Sequence, residues 1–101
     1  MKDENLYSGF IRLHILYHAS QGPIFGLGIM EELARHGYRL SPGTLYPIMH
    51  RLERLGHLAS GQELSQGRIR RVYRITPTGL AALEAAKDKV RELFGEIFEV
   101  G

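Results

Sequence analysis

The chain has 101 residues, 44% hydrophobic and 24% charged, which is the composition of one folded domain, or one domain plus an extension, and not of a disordered chain. It has no cysteine, which excludes disulfides, thiolate zinc sites and a cysteine nucleophile, and no apolar run approaches the roughly 20 residues of a membrane span. The formal net charge is only +2, but residues 35–74 hold eight arginines against Glu53 and Glu63, a local excess of +6 between two flanks of −2 each, and that distribution suits a polyanionic partner.

The N-terminal MKDENLYSGF has no apolar stretch after a basic start, so a secretion signal is not expected and a cytoplasmic location is. The first helix is predicted from about Leu6 to Ala19, with Leu6, Phe10, Leu13 and Tyr17 recurring on one helical stripe, and SQGP stops it. Within HILYH, His14 and His18 stand at i, i+4, a spacing that can hold zinc. No glutamate adjoins them as in HExxH and no third ligand is evident, so they are expected to be surface or interface histidines, and neither a metal nor a cofactor is assigned. The second helix spans about Gly26 to His36, with Ile29, Met30 and Leu33 apolar and Gly37 as its C-cap. His36 and His57 fall at helix ends, where an imidazolium complements the dipole.

A short turn, GYRL, leads to a third helix from about Ser41 to Leu55. Ser41 is its expected N-cap, Pro42 occupies the first helical position where a missing N–H costs nothing, and Gly56 ends it. At about 100° per residue, Leu45, Ile48, Met49, Leu52 and Leu55 cluster as the core face. The opposite side gathers Gly43, Pro47, His50 and Arg54, with Tyr46 beside them and Thr44 and Arg51 flanking. Pro47 on the second turn forfeits one backbone hydrogen bond and crowds the Gly43 carbonyl, at up to about 3 kcal/mol in an ideal helix. A proline kept at such a place on an outward face marks a surface that touches something.

The period then changes from 3.6 to 2. LASGQEL and RIRRVYRI read as two strands joined by a glycine turn, SQG. In the second strand Ile69, Arg71, Tyr73 and Ile75 share one face and Arg68, Arg70, Val72 and Arg74 the other. Arginines at a hairpin tip grip phosphates or enter the minor groove, so Arg68 and Arg70 are candidates for DNA; Arg71, on the side of Tyr73, is a candidate either for DNA or for an acid in the body. TPTG opens the last helix, with Thr76 as N-cap and Pro77 at the first position, and the helix runs to about Phe98. Leu80, Leu83, Ala86, Val90, Phe94 and Ile97 lie along it, with Leu93 and Phe98 on the edges. One neighbouring helix does not cover so wide an arc, so a second chain is expected to.

The order predicts a mainly α fold with a small β-hairpin (α+β): a winged helix-turn-helix over residues 1–75 and a long C-terminal dimerisation helix over 76–101. In a helix-turn-helix the N-terminal part of the second helix enters the major groove. Ser41 and Thr44 at that helix start would then favour a phosphate, Gly43 would permit close backbone approach, Pro47 would offer an apolar surface to a thymine methyl, and Tyr46 and His50 would hydrogen-bond to base edges or phosphates. With Arg51, Arg54, Arg68, Arg70 and Arg71 these make the expected DNA-binding set.

The segment SPGTLYPIMHRLERLGHL resembles the recognition-helix signature of the phenolic-acid-decarboxylase-regulator (PadR) family. GRIRRVYRITPTGLAAL resembles that family's wing strand and entry to the last helix, and PIFGLGIMEEL its second helix, so that the resemblance covers about residues 10–85. Pro42, Gly43, Thr44, Leu45, Tyr46, Pro47, His50, Arg51 and Leu52 match the pattern. The resemblance implies a dimeric bacterial repressor whose DNA binding is relieved by a small molecule, in the short form with a single C-terminal helix. The absence of tryptophan removes any drug-stacking pocket built on that residue.

The leading expectation is therefore a homodimeric transcriptional regulator that binds a roughly palindromic double-stranded DNA operator. A small-molecule effector pocket would lie between the first and last helices, with Leu13, Tyr17, Leu83, Val90, Leu93, Phe94 and Ile97 as dimer or effector residues. The alternative is a winged helix used for protein contact without specific DNA binding, against which the basic middle segment argues. An enzyme is not expected, because no nucleophile–base arrangement, phosphate loop or paired-carboxylate motif is present. A metal-sensing repressor stays open through the histidines.

Overall fold

The computed structural model describes residues 4–99, with side chains from residue 6 onward. Residues 1–3, on which part of the N-terminal reading rests, and residues 100–101 lie outside the described residues. The elements are α1 (Glu4–Gln21), α2 (Gly26–Arg35), α3 (Pro42–Arg54), β1 (Leu58–Ser65), β2 (Arg68–Ile75) and α4 (Pro77–Ile97). This is the predicted α+β order, three helices, a hairpin and a long helix. Among the described residues no helix is long and apolar enough to cross a membrane.

Local chemistry sets each boundary. Pro42 and Pro77 stand at the helix starts, where their fixed φ is already helical. Gly56 ends α3 with φ +80°, the left-handed conformation that releases His57 N–H to the Leu52 carbonyl at 2.9 Å. The hairpin turns on Gln66 and Gly67, both at positive φ (52° and 76°), so β1 and β2 are joined by a two-residue turn of the kind that matches strand twist. Ser65 pairs with Arg68 beside the turn and Leu58 with Ile75 at the far end.

The core is made by Ile11, Ile15, Leu16 and Ala19 of α1, Ile29 and Leu33 of α2, Leu45, Met49 and Leu52 of α3, and Leu58, Tyr73 and Leu83 from the hairpin and α4. α1 is the helix whose inward face differs from expectation. The stripe Leu6, Phe10, Leu13 and Tyr17 exists, but it faces outward: Leu6, Phe10 and Tyr17 are exposed and Leu13 half-buried. The helix is apolar on two sides, and the side carrying Ile11, Ile15, Leu16 and Ala19 is the one buried in the core. On α3, Leu45, Met49 and Leu52 are buried as expected and Ile48 is half-buried. Leu55, the C-cap residue just past the last helical turn, is 53% exposed.

The segment after α1 does more than stop the helix. Ile24 exchanges both backbone hydrogen bonds with Tyr73, each 2.9 Å, and so adds a one-residue third strand to β2. This bridge buries Ile24 and Tyr73 together and fixes the wing to the body. Towards the turn the wing outgrows the core, and Ile69, on the same strand face as Tyr73, is 71% exposed.

Candidate nucleic-acid interface

The outward face of α3 carries the residues expected there. Gly43, Pro47, His50, Arg51 and Arg54 are exposed, Thr44 is half-buried, and Tyr46 is partly exposed with its ring 6.5 Å from that of His50. Ser41 occupies the N-cap position, but its hydroxyl caps no backbone N–H. It turns to the Thr44 hydroxyl at 3.3 Å instead, because Ser41 carbonyl already takes the Thr44 and Leu45 N–H groups. Both hydroxyls thus stay at the exposed helix start. Pro47 sits inside α3 without breaking it.

Two glycines differ in what they serve. A Cβ on Gly43 would meet nothing closer than Ser41 Oγ at 3.8 Å, so the chain's own packing does not require glycine there. A Cβ on Gly26 would lie 2.0 Å from the Tyr46 hydroxyl and 2.6 Å from Cζ, so Tyr46 is braced against the start of α2. That brace holds the ring at the mouth of a groove lined by Phe25, Gly26, Leu27, Tyr46 and Arg68 to Arg71. α3 and the hairpin therefore share one groove.

The arginines divide by their partners. Arg35 pairs with Glu32, Arg74 with Glu63 at 2.9 Å, and Arg70 lies half-buried with its guanidinium 4.1 Å over the Phe25 ring. Arg71 is held in the body: Nε donates to the Tyr73 hydroxyl at 3.0 Å, and NH2 donates to Ser60 Oγ at 2.9 Å and stands 3.5 Å from Glu53 Oε1. Of the two roles open to Arg71 in the sequence, the geometry shows the acid partner. Arg39, Arg51, Arg54 and Arg68 are exposed and, among the described residues, have no ion pair or hydrogen bond. Arg39, in the turn before α3, was not among the expected residues; its place in the helix-turn-helix turn was the signal that could have found it.

Glu53 joins α3 to the wing. It accepts from Ser60 at 2.5 Å and faces Arg71, and its carboxyl is held below the usual range, first by the Ser60 hydrogen bond and then, against some desolvation, by Arg71. A lowered folded-state pKa means that the ionised form stabilises the fold above the usual glutamate range, and that this contribution is lost as pH falls through the lowered value. Glu53→Gln is therefore expected to lower stability near neutrality and to flatten the acid limb, the two proteins converging as pH falls below the lowered value, read as the pH dependence of the urea midpoint.

The second expected cluster lies away from this surface. Leu13, Tyr17, Leu83, Val90 and Phe94, with Phe10, His14, Lys87 and Arg91, line an apolar groove of about 600 Å³ between α1 and α4. Leu83 is 4% exposed and belongs to the chain's own core as well. Leu93 and Ile97 are exposed on α4 outside the groove.

His14 and His18 do have a third partner. His36, at the end of α2, stacks on His14 with ring centroids 4.5 Å apart, and one nitrogen of each of the three lies within 4.8 Å of the others. Burial, then the His36 and His18 rings, lower the His14 pKa, with Glu32 opposing them.

The chain matches the model of the transcriptional regulator PadR-like family over residues 15–85. It belongs to that family. It is 53% identical over 87 residues to Transcriptional regulator Rv3488 of Mycobacterium tuberculosis, covering 86% of this chain and 81% of that protein. Among solved structures it is similar to a PadR family transcriptional regulator from Eggerthella lenta, with 31% identity, TM-score 0.78, and 96% and 88% of the two chains covered. A PadR-like transcriptional regulator from Bacillus cereus shares 26% identity at TM-score 0.82 over 96% of this chain and 99% of that one. The protein is thus a transcriptional regulator of the PadR-like family and not an enzyme. Its four helices and hairpin are the family's winged-helix fold.

Proposed function

We propose that the protein is a homodimeric, sequence-specific repressor acting in the cytoplasm on a roughly palindromic DNA operator and released from it by a small apolar effector. In this reading residues 1–75 read DNA and residues 76–101 hold the two chains together. The observation that carries it is the shared face of α3 and wing: Arg51, Arg54 and Arg68 are exposed without partners, and Tyr46 and Arg70 are braced beside them. An exposed arginine without a carboxylate is available to phosphate or to the acceptor edge of guanine. Gly43, which the chain's packing does not need, leaves room for a backbone to approach. Ser41, Thr44, Pro47 and His50 complete that face. Arg71 contributes by setting the wing on α3. Two such faces about 34 Å apart would meet successive major grooves.

The effector reading rests on the groove between α1 and α4. Its volume of about 600 Å³ lies within the range of small-molecule sites, and its lining is mainly apolar.

The test is fluorescence anisotropy on duplex DNA from upstream of the protein's own gene, at two salt concentrations, with excess random competitor. Binding that resists competitor and falls steeply with salt is expected. Tyr46→Ala is expected to weaken it about 10-fold or more while the oligomeric state is unchanged, which is the range for a lost base-edge or phosphate contact. Unchanged affinity would remove α3 from the interface.

A further inference from the structure

We propose that His14, His18 and His36, together with Glu32, form a binding site for a divalent transition-metal ion of the zinc type. The site is assembled by two packed helices, each giving a pair at i, i+4: His14 and His18 on α1, Glu32 and His36 at the end of α2. Residues at that spacing lie one above the other on a helix face, so two such pairs facing each other enclose a single point.

The distances bring three imidazoles around one point, with the Glu32 carboxylate beside two of them. One nitrogen from each imidazole lies within 4.8 Å of the others. Glu32 Oε1 stands 3.6 Å from His18 Nε2 and 3.4 Å from His36 Nε2. Ligands in a tetrahedral zinc site, at bonds of about 2.0–2.1 Å, are about 3.4 Å apart, so the rings need to close by little more than an ångström. His36 is exposed at a helix end and Glu32 is half-buried, which leaves both room to move.

The surroundings suit the ion. His18 Nε2 is buried and has no hydrogen-bond partner, a group that an ion would satisfy. The other oxygen of Glu32 meets Arg35, which orients the carboxylate and keeps its first oxygen on the histidine side, as outer partners of metal ligands do. Neutral imidazole is the ligand form. Imidazole and one carboxylate, with no thiolate, select zinc, nickel or copper over magnesium or calcium. This assignment does not depend on the DNA-binding reading, because none of its residues lines the α3–wing groove.

The experiment uses the full chain, freed of any affinity tag and stripped with a chelator, at neutral pH. Zinc is followed by calorimetry, cobalt(II) by its visible absorption. The expected result is one ion per protomer, a cobalt spectrum of the intense tetrahedral kind, and a rise in thermal midpoint with zinc. His36→Gln is expected to weaken zinc binding by about 100-fold or more and to abolish the cobalt band, with circular dichroism unchanged. His50→Gln, outside the cluster, is expected to bind as the wild type. If zinc binds no more tightly than to the His36→Gln protein, or if both variants bind alike, the site does not exist.

Discussion

In the proposed dimer, Phe94→Glu is expected to separate the two chains without unfolding them. Only Gly79 and Leu83 of α4 are buried, both in its first half. Beyond them Val90, Leu93, Phe94, Ile97 and Phe98 are all exposed, and Phe94 is 51% exposed with its ring 4.7 Å from Phe98. On the facing helix Leu6, Phe10 and Tyr17 are exposed as well. Apolar surface on this scale gains about 25 cal/mol per Å² when covered, and a second copy is the commonest cover. A carboxylate at the centre of that patch would have to lose its water with no partner to replace it, an effect of several kcal/mol. Phe94 lies outside the core, so the monomer should keep its helical signal. Sedimentation equilibrium reads the first part of the expectation. Anisotropy reads the second: two half-sites that are no longer linked lose about 10²–10⁴ in affinity. A Phe94→Glu protein that sediments as a dimer would place the interface elsewhere.

The same helix shows what a sequence can reveal and what it cannot. Where the chain is punctuated, the reading is sharp. Pro42, Gly56, Gly67 and Pro77 mark starts and turns for reasons internal to the backbone, and α3, the hairpin and α4 begin and end within a residue or two of expectation. α3 has one apolar face, so its outward residues follow from a helical wheel. α1 has two apolar faces. Periodicity finds both and cannot rank them, since which one turns inward depends on the shape of α2 and β2. Hence Leu6, Phe10, Leu13 and Tyr17 were legible as a stripe but not as an outer one.

The limits at the site are of the same kind. The arginine excess is visible in the sequence; which arginines are already paired is not. Arg71 and Arg74 meet Glu53 and Glu63 only because the hairpin folds back on α3 and on itself. The bridge between Ile24 and Tyr73 joins residues far apart in sequence through backbone atoms, which carry no side-chain pattern. His36 is separated from His14 and His18 by a turn and a helix, so the i, i+4 pair shows only half of the cluster. The brace between Tyr46 and Gly26 is likewise a contact between two helices, and only the missing Cβ hints at it.

Gly79→Ala is expected to destabilise the fold by about 2–3 kcal/mol, the upper part of the range for overpacking. Helix propensity alone predicts the opposite sign, since alanine is favoured over glycine by about 1 kcal/mol inside a helix. Geometry decides between them. A Cβ on Gly79 would stand 2.1 Å from the His57 carbonyl oxygen and 2.8 Å from Ile75 Cγ1. The first of these is backbone, fixed on both sides. His57 carbonyl accepts the Thr76 N–H at 3.1 Å, Thr76 Oγ1 donates to the Gly56 carbonyl at 2.5 Å, and the same hydroxyl caps the Gly79 N–H at 2.9 Å. The first turn of α4 is thereby clamped onto the connection between α3 and β1. A methyl group at Gly79 either breaks these bonds or lifts α4, with Leu83, away from the core. Against a total stability of about 5–15 kcal/mol, the change should lower the urea midpoint clearly at unchanged slope and fixed protein concentration. A variant as stable as the wild type, or more so, would mean that α4 is not clamped there. Since α4 also carries the patch around Phe94, this clamp is the rigid link through which the arrangement of two chains would set the spacing of their wings and recognition helices.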